Sequence, residues 1–231
     1  MSEFMFQIEG VMRSEIKSLD ALADNAANAM TPGFRSRYQA AGGADFSGLL
    51  QGAAADPQHH VSNRDGPLQV TGARTDLALR GDAWFAVETD DGLRLTRDGR
   101  FQISDDGSLV DRAGNAVAWE ERPAAALDSD MSVMADGTVV VSGKSMGRLR
   151  IVALDKGTQV TPDGAGLYRV SGELKPAEAA AVVQGVYEES NVDTAADVMA
   201  IMRSVRHVET LQRSISAYDK AIGIGINQLG K

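Results

Sequence analysis

Apolar residues recur at steps of three and four near both ends of the chain, and the pattern changes to short β-type runs between them. Over residues 4–30, Met5, Ile8, Met12, Leu19, Leu22, Ala26 and Ala29 lie on one helical stripe that only Glu15 interrupts. Gly10 weakens this helix by about 1 kcal/mol relative to alanine without breaking the stripe. Thr31-Pro32-Gly33 then stops it, because proline disfavours helical dihedrals in the residue before it and glycine permits a reversal.

The C-terminal stripe runs through Val198, Ile201, Val205, Val208, Ile215, Ile222, Ile226 and Leu229, with Gln212 and Asp219 as its polar members. Asn191 or Asp193 caps its start. Some 36 residues at 1.5 Å rise give a rod of roughly 54 Å, longer than a typical globular helix and in need of a partner. The N-terminal stripe is the partner within the chain, and a spacing near 3.5 residues at both ends predicts a left-handed coiled pair. The alternative is two ordinary surface helices packed on one core.

The middle reads as all-β. Thr75–Leu79, Trp84–Thr89, Leu93–Arg97, Arg100–Ser104, Ser108–Asp111 and Ala116–Trp119 form a meander, Met131–Met134 and Thr138–Ser142 a hairpin, and Gly147–Leu154 and Leu167–Val170 further strands. Asp91-Gly92, Asp98-Gly99, Asp106-Gly107 and Asp136-Gly137 supply turns tolerant of positive φ. Lys175–Ala181 is an extended or turn segment, and Val182–Tyr187 leads the chain to the second helix. The expected fold class is mainly β plus α: an all-β central domain inserted between long N- and C-terminal helices that pair as a coiled coil. Its divisions are an N-terminal helix at 1–41, a connector at 42–67, a β domain at 68–184 and a C-terminal helix at 185–231, the two helices forming one core domain.

Composition narrows the function. The 231 residues carry 32 acidic against 23 basic side chains, a net charge of -9 that disfavours nucleic acid as partner. Zero cysteines exclude disulfides, thiolate metal sites and cysteine nucleophiles. No apolar run approaches the ~20 residues of a spanning helix, and the N-terminus lacks the pattern of a cleaved signal, so neither membrane insertion nor classical secretion is expected. Asp90-Asp91-Gly92 and Asp105-Asp106-Gly107 lack the later ligands of a calcium loop and read as hairpin turns. His59 and His60 have no third metal ligand in the sequence, and His207 has no nucleophile signature to complete a triad. Gly223-Ile224-Gly225 follows no strand, which excludes a dinucleotide fingerprint. No catalytic residue, cofactor or metal site is therefore expected, and two apolar stripes at opposite ends of the chain point instead to assembly.

Three blocks carry a resemblance. Asn25-Ala26-Ala27-Asn28-Ala29-Met30-Thr31-Pro32-Gly33-Phe34-Arg35 resembles the N-terminal signature of the bacterial flagellar rod and hook family, with Ala26 in place of its usual leucine. Asp76–Val87, continued by Leu95-Thr96-Arg97-Asp98-Gly99-Arg100-Phe101, is similar to that family's central β segment. Glu188-Glu189-Ser190-Asn191-Val192-Asp193, leading to Met202 and Arg206–Glu209, is similar to its C-terminal block, with Val208 where an aromatic residue is common. The short connector, Gly147–Val152 and Asp163–Tyr168 resemble the proximal-rod members more than the distal-rod or hook members.

The resemblance implies a structural, non-enzymatic subunit that polymerises axially and transmits torque from motor to hook. It implies paired helices forming an inner tube, with other rod subunits and further copies of the chain as partners. It also implies export by the flagellar apparatus without a cleaved signal, and a place in the basal-body rod crossing the periplasm. Both stripes become subunit interfaces, and Asn25, Asn28, Thr31, Pro32, Gly33, Phe34, Ser190, Asn191 and Val192 the family motif. A distal-rod or hook-type member is one alternative; a secreted adhesin-like β module on a helical stalk is another, of a different class.

Overall fold

The computed structural model describes residues 2–39, 59–123, 125–155, 158–177 and 180–229. Most of the expected connector, 40–58, lies outside them. The chain forms two compact units. One gathers helix α1 (Ser2–Ala27), the short strand Arg37–Gln39 and helix α2 (Thr194–Leu229); the other gathers Asn28–Ser36 and the strands between Val61 and Val192.

In the helical unit, α1 and α2 lie side by side and antiparallel: Asn25 bonds the Asp197 carboxylate near the start of α2, and Glu15 Oε2 stands 3.7 Å from His207 Nδ1 ten residues further along each helix. α2 is capped by Asp193, whose Oδ1 accepts the Ala196 amide at 3.0 Å. On α1, Ala21 and Asn25 are the most buried residues, Met12, Leu19 and Leu22 are half-buried, and Ala26 faces outward. On α2 the inward positions include Asp197, Ile201, Ser204, Val208, Leu211, Ile215 and Tyr218, a run of alternating four- and three-residue steps, with Ala200 half-buried beside it. The sequence stripe therefore divides. Ile201, Val208 and Ile215 join the seam, while Val198 and Val205, 43% and 44% exposed, sit on the outer face beside Met199 and Met202. Leu211 and Tyr218 lie at the seam and Gln212 is exposed, so the seam keeps the 3.5-residue period of the sequence stripe with alternate members one residue earlier, a rotation of phase; the side chain of Asp219 lies outside those described. The side chains of Met5, Ile8, Ile222, Ile226 and Leu229 lie outside those described.

The second unit is built from antiparallel pairs. Its largest sheet centres on Trp84–Thr89, hairpinned to Gly92–Thr96 and extended on one side by Leu167–Ser171 and Gln159–Gly164, on the other by Ala116–Val117, Leu109–Val110 and Gln102–Ile103. The central strand reads Trp-Phe-Ala-Val without polar alternation because both its faces are covered. Phe85 and Val87 enter one apolar cluster with Leu77, Phe101 and Leu109; Trp84 and Ala86 enter another with Leu95 and Tyr168. Edge-on aromatic pairs mark both, Phe85–Phe101 at 5.1 Å and Trp84–Tyr168 at 4.9 Å between centroids. A four-stranded sheet joins Trp119–Glu121, Lys144–Leu149, Thr138–Val141 and Ser132–Val133.

Three strand expectations change. Leu77–Arg80 does not pair with its neighbour in sequence but with Ala181–Gln184, a contact across the whole unit. The expected single strand Gly147–Leu154 is split at Arg150, so that Lys144–Leu149 and Ile151–Leu154 serve different sheets. Asp98-Gly99 is no positive-φ hairpin turn: a Cβ on Gly99 would lie 1.6 Å from the Leu77 carbonyl oxygen, so the glycine is there for close backbone approach. At Asp91-Gly92, Asp106-Gly107 and Asp136-Gly137 the glycines do take positive φ, at 102°, 77° and 85°.

Candidate functional site: a buried charge junction

The three motif blocks meet inside the β unit. Gly33 reverses the N-terminal segment at φ +69°, and a Cβ there would fall 2.1 Å from the Asp98 amide, so only glycine lets this segment lie on the Arg97-Asp98 backbone. Its amide donates to the Glu188 carbonyl at 2.8 Å, bringing the first block onto the third. Phe34 is buried, and its carbonyl accepts the Asn191 amide at 3.3 Å. Asn191 bridges further: its Oδ1 accepts the Ser36 amide at 2.6 Å and its Nδ2 donates to the Arg64 carbonyl at 2.6 Å. Ser190, also buried, turns its hydroxyl back to accept the Val192 amide at 3.3 Å.

The charges lie at the centre of this crossing. Glu188 is 1% exposed and sits between two arginines, with Oε1 3.0 Å from Arg35 Nη2 and Oε2 3.1 Å from Arg97 Nε. Asp65 Oδ1 contacts both Nη2 atoms from the solvent side. The formal charges, two positive and two negative, sum to zero. Backbone groups take up part of the remaining valence: the Gly66 amide donates to Glu188 Oε1 at 2.6 Å, Arg97 Nη1 donates to the Ala83 carbonyl at 2.7 Å, and Arg35 Nη1 to that of Arg64, while Arg35 Nε, Arg97 Nε and Glu188 Oε2 make no hydrogen bond of good geometry among the described residues. The Tyr168 hydroxyl accepts the Arg35 amide at 2.8 Å, tying the junction to the Trp84–Tyr168 cluster.

Burial dominates the titration of Arg97 and Glu188. Removal from water, with the adjacent Arg35 charge, pushes Arg97 down to about 10 against the pull of Glu188 and Asp65, which leaves it protonated at neutral pH. Burial likewise raises Glu188 above the ordinary carboxylate range despite both arginines. Such a cluster contributes little net stability relative to an apolar core, but it is costly to break, because each survivor is left charged and dry.

The remaining motif residues have local roles. Asn28 closes the turn after α1, its carbonyl accepting the Thr31 amide at 3.0 Å and its Oδ1 the Thr31 hydroxyl at 3.2 Å. In the helical unit, Asn25 is 2% exposed and bonds both main-chain groups of Arg37: Nδ2 to the carbonyl at 2.9 Å, and the Arg37 amide to Oδ1 at 2.7 Å. None of the junction's charged groups, Arg35, Asp65, Arg97 and Glu188, nor Tyr168 beside them, is among the residues that the sequence singles out as the family motif. A run of Arg-Asp-Gly gives no sign that its arginine is buried; the signal exists only once residues 35, 97 and 188 are brought together. His207 lies exposed on α2 and the His60 ring stands 6.0 Å from that of Tyr38. Among the described residues there is no group of three or more His, Cys, Asp or Glu that could hold a metal, and no helix long and apolar enough to cross a membrane.

The contacts of this framework fix a chain crossing. Residues 78–141, within the β unit, match the family described as "Flagellar hook protein FlgE/F/G D1 domain", which places that unit in the flagellar hook and rod class. The chain is 32% identical to the flagellar basal-body rod protein FlgF of Rhizobium meliloti (strain 1021) over 89% of its length and 90% of the relative's. It is 30% identical to FlgF of Mesorhizobium japonicum over the same shares, and 27% identical to the rod protein FlgG of Bacillus subtilis (strain 168) over 93% and 94%. The chain belongs to the FlgF family of flagellar basal-body rod proteins.

Proposed function

We propose that the chain is a structural subunit of the flagellar basal-body rod, occupying its proximal part. The observation that carries this reading is the likeness to proteins named as basal-body rod FlgF along nine-tenths of the sequence. The likeness to a rod protein named FlgG fits the same class. None of these relatives is named as an enzyme, in keeping with a junction made of salt bridges and backbone bonds.

The finer mechanism rests on the helical unit. The alternating four- and three-residue seam of α2 supports a left-handed coiled pair with α1. The outer face of α2 carries Val198, Met199, Met202 and Val205, an apolar strip left facing water in the single chain. Neighbouring rod subunits and further copies of this chain cover that strip, together with the stripe residues near both termini, in an axial helical lattice. Torque is then transmitted by a stiff noncovalent tube, and the subunit reaches its place through the flagellar export apparatus with no signal removed. Met202→Asp with Val205→Asp tests this. In cells lacking the native gene, the double variant should be made at normal level and leave the thermal transition of the β unit unchanged, yet fail to restore rods or swimming. Rods of normal yield from the double variant would refute the reading.

A further inference from the structure

The sequence holds six Asp-Gly dipeptides, at Asp65, Asp91, Asp98, Asp106, Asp136 and Asp163. At such a pair the glycine amide nitrogen can attack the aspartate side-chain carboxyl; water leaves, a five-membered succinimide forms, and hydrolysis at either carbonyl returns that water to give aspartate or isoaspartate. The reaction needs a side chain free to swing toward the main chain and a carboxyl able to pick up a proton.

In five of the six, the carboxylate is held. Asp65 is bound by Arg35 and Arg97. Asp98 is gripped by Arg100 through Oδ1 at 2.9 Å and Oδ2 at 2.7 Å. Asp106 accepts from the Ser104 hydroxyl and, at 3.1 Å, from the Ser108 amide; Asp136 accepts from the Thr138 amide at 3.0 Å and its hydroxyl at 2.9 Å. Asp163 takes Arg94 and, at 2.9 Å, Arg169. These hydrogen bonds also hold the Asp106, Asp136 and Asp163 carboxyls below the usual carboxylate range, which further starves the neutral form that reacts. Asp91 is the exception. It sits exposed at the tip of the Trp84–Thr89 and Gly92–Thr96 hairpin, its carbonyl accepts from Arg94 Nη1 at 3.1 Å, and its carboxylate has no partner among the described residues.

We infer that Asp91 is the site of spontaneous isoaspartate formation in this protein, and hence a substrate position for an isoaspartate-specific carboxyl methyltransferase. The modification adds a methylene to the main chain within a two-residue loop. It thereby disturbs the register of the strands that supply Trp84, Phe85, Val87 and Leu95 to both apolar clusters. A subunit that stays in one assembly for long periods accumulates it.

The test is ageing of the full chain at neutral pH below its unfolding transition, with peptide mapping and methyl transfer from labelled S-adenosylmethionine by a purified repair methyltransferase. Isoaspartate should appear first and most abundantly in the tryptic peptide Gly81–Arg94, and Asp91→Glu should remove most of the methyl-accepting sites. A parallel incubation in urea should bring the six positions to similar yields, since every carboxylate is then free. Earlier or equal isoaspartate at another of the six in the folded chain would overturn the assignment. So would an unchanged methyl count in Asp91→Glu, or a preference for Asp91 that survives in urea and therefore owes nothing to the fold.

Discussion

Glu188 shows what a single buried charge demands of its surroundings. It is held by two arginines and a backbone amide, and its carboxyl titrates above the ordinary range because burial outweighs all three. Arg97→Met leaves Glu188 short of one counter-charge and should cost about 3–5 kcal/mol in denaturant unfolding at neutral pH. The pH dependence has a definite sign. With a raised native value, the folded state binds more protons than the unfolded one between the ordinary and the raised carboxylate range, so stability falls as pH rises through that window. The deficit of Arg97→Met should therefore be smallest at acid pH, where Glu188 is protonated, and grow toward neutrality. Pairing it with Glu188→Gln should recover part of the loss, since the uncompensated charge is gone, and the double-mutant cycle measures the coupling. Additive losses, with no pH dependence in Arg97→Met, would mean that the junction is not an ionic one.

Between the elements, hairpins and helix ends were legible in the sequence and long-range pairings were not. Asp-Gly turns at Gly92, Gly107 and Gly137 and the stop after α1 depend on dihedrals that neighbouring residues impose, so reading them needs only a few consecutive positions. The pairing of Leu77–Arg80 with Ala181–Gln184 leaves no such trace, because either strand would serve equally well against another apolar edge. The motif blocks were legible as resemblance, but their purpose was not: the junction of Arg35, Arg97 and Glu188 depends on contacts between residues 91 and 153 positions apart. The seam of α2 lay between the two cases, its period readable and its phase rotated. Asn25 belongs to this scale as well. Its amide acts as a lateral backbone unit for Arg37, and Asn25→Ala leaves two main-chain groups without those bonds. A loss of about 1–3 kcal/mol from the helical unit is expected, seen as faster amide exchange at Arg37 with exchange in Trp84–Thr89 unchanged.

Across the whole molecule, apolar burial is distributed unevenly. The β unit closes two clusters that include Trp84, Phe85, Phe101, Leu109 and Tyr168, all nearly inaccessible to water. The helical unit sets Ala21, Asn25, Asp197 and Ser204 into its seam and leaves Val198, Met199, Met202 and Val205 outside. Each large aliphatic side chain that a neighbour covers contributes roughly 1.5–3 kcal/mol, while ordering each backbone residue costs about 1–2 kcal/mol. A helix pair whose seam mixes Ile201, Val208, Leu211 and Ile215 with small and polar groups, and which leaves Val198, Met199, Met202 and Val205 outside, thus gains part of its order from whatever covers that outer strip. Hydrogen exchange on the purified monomer should show rapid exchange over 2–27 and 194–229 and strong protection over 84–171. In assembled material both helices should become protected. Ile215→Asp, placed in the seam, should raise exchange in both helices of the monomer only slightly while abolishing their protection on assembly. If the monomer helices instead match the β unit in protection, the helical unit is self-sufficient, folding and assembly are uncoupled, and a stable stalk describes the ends of this chain better than an unfinished tube.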